Sequence, residues 1–311
     1  MNLLSCMRYL VALHEHKHFG RAAAACHITQ PALSNALRAL EAEFKVAIVK
    51  RDRHYEGLTP EGERVLGTAQ RMLHEHALLQ QELASAIDAP SGPVRIACVP
   101  TAIPIGARFA ALLQARHTGI RSSVISLSSS ELERRLENLS IDLGLGYTDR
   151  MHTGGQRLVA FAQFDEQYFL LRRLAVKQSD GLSIGAPISW RDASKLPLCL
   201  LTTDMHNRTV VDAAFLAAGV SLQPVMETNS ILTLALSVAA GDIYSIMPAA
   251  LVDTVRSYRE LQAQPLIEPL VHSAIGFMWH AAAQPSRALQ AACDFAQDAT
   301  WLEHVAVHSK F

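Results

Sequence analysis

Apolar positions recur with helical spacing through roughly the first quarter of the chain and then give way to short apolar runs. Leu33, Leu37 and Leu40 are separated by four and three positions, the buried stripe of a helix. Before them Thr29 offers a hydroxyl as N-cap, and Pro31 falls in the first turn, where its missing N–H costs nothing. Ala22, Ala23, Ala24 and Ala25 mark a preceding short helix whose small side chains permit close approach, and His27-Ile28 supply a turn with one apolar plug. Two short helices joined by a tight turn are therefore expected over residues 19–41. The polar face of the second carries Gln30, Pro31, Ser34, Asn35 and Arg38. Amide, hydroxyl and guanidinium groups are the side chains that read base edges or hold phosphates. A solvated helical hairpin would show the same pattern. What separates the two readings is the next segment, a β-like run Val46-Ala-Ile-Val49 followed by Lys50, Arg51 and Arg53 beside His54. A basic hairpin next to such a helix is the layout of a wing gripping phosphates.

Thr59 and Pro60 read as the cap and first-turn proline of a long helix to about residue 87. Within it Val65, Ala69, Met72, His76, Leu79, Leu83 and Ala86 alternate gaps of four and three, a heptad seam. Such a stripe packs either on its own domain or on a second copy, and its place between two domains favours the second copy. His76 reads as a packing residue whose protonation would weaken that pairing. Residues 88–93 (Asp-Ala-Pro-Ser-Gly-Pro) form a turn-rich linker. Beyond it, short apolar runs alternate with amphipathic stretches, the mark of an α/β domain. Strands are expected near 94–99, 123–127, 141–146, 167–171, 198–201, 225–227 and 244–247. Helices are expected over 105–116, 131–138 and 286–300.

Composition narrows the classes. The 311 residues suffice for two or three domains, and with half of them hydrophobic and 18% charged the chain is not disordered. A formal net charge of −1 argues against a protein that coats nucleic acid indiscriminately, so DNA contact must come from local patches. The five cysteines, Cys6, Cys26, Cys98, Cys199 and Cys293, are scattered and lack a CxxC pair, which argues against a zinc site or disulfide framework and suits a reducing compartment. Neither a signal-peptide pattern nor an apolar stretch of membrane-span length is present, so a cytoplasmic protein without membrane contact is expected. No Ser-His-Asp motif, phosphate loop or HExxH motif appears, so no catalytic residue, metal or cofactor is expected. The densest histidine cluster, His14, His16 and His18, reads as a solvated helix end.

The motif set resembles a known family. Ala22-Ala23, Thr29-Gln30-Pro31-Ala32-Leu33-Ser34, Leu37-Arg38-Ala39-Leu40-Glu41, Arg51 and Leu58-Thr59-Pro60-Glu61-Gly62 look like the N-terminal signature of LysR-type transcriptional regulators, in order and spacing over some sixty residues. Cys26 and Val49 depart from the usual leucine and phenylalanine, and Lys45 stands where glycine commonly ends the second helix. The resemblance implies an α/β protein overall. It would consist of a winged helix-turn-helix head (all-α with a small β wing, 1–58), a linker and dimerisation helix (59–88) and a two-subdomain effector domain of periplasmic-binding-protein type (93–304). Subdomain I would comprise 93–161 and 268–304, and subdomain II 162–267. It also implies a homodimer assembling to a homotetramer on double-stranded promoter DNA, acting through RNA polymerase. Thr29, Gln30, Pro31, Ser34, Asn35 and Arg38 would contact bases or phosphates, and Lys50, Arg51 and Arg53 phosphates.

Strands ending at Thr101, at Ser128 and Ser129, and at Thr202 and Thr203 each hand over to a helix, and α/β sheets bind ligands at such ends. These residues, with Asn229 at a further helix start, fall where the family places effector contacts. Phe164 and Tyr147 either wall the same pocket or belong to the core. With no arginine pair conspicuous there, a small anionic effector is expected, and residues 227–231 look somewhat like regulators answering cyanate or formate. The family's peroxide-sensing branch keeps a reactive cysteine early in the helix after strand 198–201. Here His206 stands at about that position, so redox sensing by that route is not expected. The competing reading is an enzyme acting on a small metabolite with an appended DNA-binding head.

Overall fold

The structure, a computed structural model, describes residues 2–51, 55–84, 89–150, 158–176, 178, 180–281 and 285–310. The chain divides into two compact units, residues 1–88 (with which 138–140 group) and the remainder from residue 89.

The first unit runs α1 (Leu3–His16), α2 (Phe19–Ala25), α3 (Gln30–Phe44), β1 (Val49–Arg51), β2 (Tyr55–Leu58) and α4 (Pro60–Ala84). Leu33, Leu37 and Leu40 are fully buried together with Leu10 and Leu13 of α1 and Ala22 and Ala23 of α2. At roughly 1.5–3 kcal/mol for each buried leucine side chain, this stripe is what seats α3. The β-like run expected at 46–49 contributes only Val49 to a strand; pairing starts where the antiparallel partner Leu58 begins. Two polar contacts hold that wing. Glu41 of α3 accepts from the Ile48 and Val49 amides at 3.0 and 3.2 Å. Thr59 donates to Ala47 O at 2.6 Å and accepts from the Gly62 amide at 2.9 Å, which caps α4. A Cβ on Gly62 would lie 2.1 Å from Ile48 O, so glycine is required for α4 to pass this close to the wing.

Lys45 closes α3 with φ 55°, in the left-handed region that glycine occupies at no steric cost. The Lys45→Gly variant is expected to stabilise this unit by about 0.5–1 kcal/mol. Native-state hydrogen exchange of the α3 amides should register that gain as slower opening; unchanged rates would contradict it.

The second unit holds two sheets. Among the described residues, β3 (Ser91–Cys98), β4 (Gly119–Ser126), β5 (Leu143–Tyr147), β6 (Leu158–Glu166) and β14 (Ser273–His280) form a five-stranded sheet in the order β4-β3-β5-β14-β6. The other sheet has β7 (Tyr168–Arg173), β8 (Ser183–Ile184), β9 (Ile188–Ser189), β10 (Leu198–Leu201), β11 (Met226–Thr228), β12 (Tyr244–Pro248) and β13 (Leu261–Ile267). Its order is β11-β10-β12-β7-β13-β8, with β9 also on β13. Helices α5 (Ile103–Arg116), α6 (Ser129–Glu137), α11 (Arg287–Ala296) and α12 (Ala299–His308) belong to the first half. Helices α7 (Trp190–Ala193), α8 (His206–Ala217), α9 (Ile231–Ala240) and α10 (Ala249–Thr254) belong to the second.

Some expectations shift. The boundary expected between 161 and 162 falls inside β6, which stays paired to β14 through Glu166 opposite Ser273; the chain changes sheets at Gln167. The single helix expected over 286–300 is two, because Asp298 caps a new start by accepting from Thr300 N at 2.9 Å. Strands β6, β8, β9, β13 and β14 were not expected. Of these, β6 is an edge strand with exposed positions, β8 and β9 are two residues each and β13 alternates polar with apolar residues, whereas β14 is a largely apolar inner strand whose signal was present in the sequence. The halves are joined by the crossovers at 167 and 268–272 and by Asp253 of α10. Its carboxylate, whose side chain is 4% exposed, meets Arg108 of α5 at 2.8 Å and His308 of α12 at 2.8 Å.

Candidate functional site

In the first unit the exposed face of α3 carries Gln30, Pro31, Asn35 and Arg38, with Ser34 half-buried at its edge. Thr29 is the N-cap, its hydroxyl accepting from Ala32 N at 3.4 Å, and this leaves the first turn of α3 at the surface. His18 caps α2 in the same way, its Nδ1 accepting from Gly20 N at 3.1 Å and Arg21 N at 3.3 Å. Lys50 projects from β1 and is exposed. Arg53 and the side chain of Arg51 lie outside the described residues. The arrangement is a helix presenting amide, hydroxyl and guanidinium groups on one side of a leucine stripe, with a basic strand beside it. That is the equipment for a DNA groove and its flanking phosphates.

In the second unit the carboxyl ends of β3, β5 and β10 bring polar side chains to the junction of the two sheets. Thr101, in a short 3-10 turn after β3, is buried and hydrogen-bonded to the Tyr147 hydroxyl at 3.1 Å. Tyr147, the last residue of β5, donates to Glu166 Oε2 at 3.0 Å, and Tyr168 of the other sheet donates to the same oxygen at 2.9 Å. Asn207 of α8 donates to both tyrosine hydroxyls at 3.5 and 3.4 Å. Glu166 is 1% exposed, and burial pushes its carboxyl up to about 7. Burial also holds both tyrosines well above their ordinary range, so they stay protonated donors.

His206 opens α8, its ring 4.6 Å from that of Tyr147. Arg150, paired with Glu133 of α6 at 2.7 Å, places a guanidinium nitrogen 3.3 Å from His206 Nδ1. A guanidinium only donates, so Nδ1 accepts and the ring proton resides on Nε2. Burial, followed by the Arg150 charge, lowers the imidazole pKa and keeps it neutral. Among the described residues His206 Nε2, Ser129 Oγ, Thr202 Oγ1 and Glu166 Oε1 are buried without a hydrogen-bond partner. The Thr101 hydroxyl is nonetheless near enough to Glu166 to favour its ionised form.

The six effector positions expected from the sequence thus divide. Thr101, Ser129 and Thr202 are buried or half-buried polar groups at strand ends, and Ser128 is half-buried with its hydroxyl 3.4 Å from Ser130 Oγ. Thr203 and Asn229 are exposed. Neither Thr202 nor Thr203 caps a helix, because a turn to Met205 intervenes before α8. Ser230, not Asn229, caps α9, accepting from Thr233 N at 3.3 Å. Glu166, Tyr168, Asn207 and Arg150 were missed. The local sign for Glu166 is the acidic pair Asp165-Glu166 at the end of a mostly apolar run, and it does not tell which of the two is buried.

Two family profiles cover nearly the whole chain. Residues 4–63 match the bacterial regulatory helix-turn-helix protein of the lysR family, and residues 88–301 match the LysR substrate binding domain. The chain belongs to the LysR family of transcriptional regulators. It is similar to a probable hydrogen peroxide-inducible genes activator of Streptomyces viridosporus, with 30% identity covering 83% of this chain and 82% of that protein. It is also 25% identical to the DNA-binding transcriptional dual regulator OxyR of Escherichia coli K12, covering 88% of each. Among solved structures, full-length OxyR from Pseudomonas aeruginosa superposes with a TM-score of 0.70 at 22% identity, covering 96% of this chain and 95% of that one.

This LysR-family protein is thus a DNA-binding regulator with a head and an effector-binding domain. Its thiols, however, are set against reactivity. Cys6, Cys98, Cys199 and Cys293 are buried, and burial pushes Cys98 and Cys293 up to about 12. Burial also raises the half-buried Cys26, as it does Cys6 and Cys199. A thiolate is the reactive form, and each site disfavours it.

Proposed function

We propose that this regulator is switched by a small oxyanion held between the two subdomains of its effector domain, rather than by thiol oxidation. The observation that carries the reading is three buried donors without partners among the described residues, one at the start of α6, one after β10 and one at the start of α8. The His206 Nε2–H is fixed by Arg150 on the other side of the ring, and among the described residues it and the buried Ser129 and Thr202 hydroxyls have no partner. Unpaired buried donors cost about 1–3 kcal/mol each, and an oxygen-rich guest would satisfy them. The burial of the thiols and their raised pKa values support this reading over a thiol response to hydrogen peroxide, the inducer that the names of relatives print. The enzyme reading gains no support, since the matched families and relatives are regulators.

The head presents α3 to the major groove with Gln30, Ser34, Asn35 and Arg38 toward bases and Lys50, Arg51 and Arg53 toward phosphates. Pairing of two copies runs along α4, where Met72 is 40% and Leu79 53% exposed on the seam. Paired heads on a dyad site then assemble to a tetramer that acts through RNA polymerase from the cytoplasm; no described helix is long and apolar enough to cross a membrane.

Sodium formate and sodium cyanate are the first probes. One of them should raise the thermal midpoint of the full-length protein and change its footprint on the DNA upstream of its own gene. Thr202→Val should weaken that ligand about tenfold, the value of one hydrogen bond to a charged group, with DNA affinity intact. An unchanged ligand dissociation constant in the variant would remove Thr202 from the site.

A further inference from the structure

The buried cluster around Glu166 lies where the chain passes from one sheet to the other. Glu166 ends β6 of the first sheet, Gln167 is the crossover and Tyr168 begins β7 of the second. Oε2 of Glu166 accepts from Tyr147 of the first sheet and from Tyr168 of the second, and Asn207 of α8 donates to both hydroxyls. One carboxyl therefore carries polar contacts from both subdomains. Its second oxygen makes no hydrogen bond among the described residues.

We propose that Glu166 is a proton-binding site that latches the two subdomains together, so that the proton is a second input to the effector domain. With the proton on, the carboxyl is neutral and sits between the tyrosines without a buried charge. With the proton off, a carboxylate is enclosed with only neutral hydroxyls near it, Tyr147 and Tyr168 on Oε2 and Thr101 close by, and with no cation bonded to it among the described residues. Such a charge is relieved by admitting water, which means parting Tyr147 from Tyr168. The ionisable groups around it do not compensate the charge. Tyr147 and Tyr168 are neutral, and Asp149 adds a like charge that disfavours ionisation further. The neighbouring cation, Arg150, is engaged with Glu133 and with His206, whose ring packs on Tyr147. His206 is a neutral imidazole there and does not provide a positive charge. Burial acting on Glu166 puts its proton release near neutral pH, where such a latch would operate.

This inference does not depend on the oxyanion reading, because it is tested without any effector. Spin labels are attached at Ala111→Cys on α5 and Ala213→Cys on α8, both exposed, in full-length protein carrying Cys26→Ser and diluted with unlabelled chain. Distance distributions are recorded by double electron–electron resonance at about pH 5 and pH 8. In the otherwise native sequence the ratio of long to short distances should rise by on the order of tenfold or more as Glu166 loses its proton. Glu166→Gln, an uncharged isostere, should hold the short distance at both pH values. A distribution that ignores pH in the native sequence would overturn the latch, and that arm needs no substitution at Glu166 to fold. A pH response that survives in Glu166→Gln would also overturn it and move the titration to another group.

Discussion

Glu166→Gln is expected to make the protein more stable than the native sequence above neutral pH, by about 3 kcal/mol at pH 8. The native carboxyl is raised from its ordinary 4.5 to about 7, so the folded state binds a proton more tightly than the unfolded chain. A raised carboxyl stabilises the fold below its ordinary value. Stability then falls as pH climbs from about 4.5 to about 7 and levels off beyond, where both states are ionised. At roughly 1.4 kcal/mol per tenfold change in proton affinity, the gap between the two values gives the figure above. Glutamine keeps the shape and can still accept from Tyr147 and Tyr168, but carries no charge to desolvate. Urea unfolding of the second unit, followed between pH 5 and pH 8.5, is the measurement. Native and variant curves should converge near pH 4.5 and separate above it. Curves that run parallel would show that Glu166 does not titrate in this window, and a variant less stable at pH 8 would show that the carboxylate is the favoured form.

Arg38→Ala should weaken binding to the DNA upstream of the protein's own gene by about 10–100-fold, the value of roughly 1–3 kcal/mol for a side chain that reads a base edge. Arg38 is exposed on α3, one position after the buried Leu37, so its removal leaves no cavity and no unpaired partner in the head. Ser34→Ala is expected to act in the same direction with a smaller loss. Lys50→Ala is the contrast. It should reduce affinity for all sequences alike and lower the salt dependence by about one counterion, because a lysine on a phosphate positions without specifying. Fluorescence anisotropy with specific and scrambled duplexes over a range of salt concentrations separates these outcomes. An Arg38 variant that loses affinity equally for both duplexes would place that residue on the backbone, and no loss at all would exclude it from the interface.

The head and the general order of the chain could be read from the residues because their determinants are local. The leucine stripe of α3, the Thr29 cap, the small alanines of α2 and the glycine at 62 each act within a few residues or across one fixed contact. The sheet junction could not be read this way. Thr101 and Thr202 were visible as hydroxyls at strand ends, a purely local sign, but Thr203 and Asn229 carry the same sign and point to the surface. Glu166, Tyr147, Tyr168 and Asn207 meet only because β5, β6, β7 and α8 converge from distant stretches of sequence. The adjacent acids Asp165 and Glu166 give no hint which of them will be solvated, and it is Asp165 that is exposed and Glu166 that is buried. Sequence alone determined the helix-turn-helix, the long linker helix and the α/β character, since periodicity and capping are properties of neighbouring residues. Tertiary structure alone decided which polar groups lose their water and face one another, because burial and electrostatic coupling depend on the packing of the whole domain.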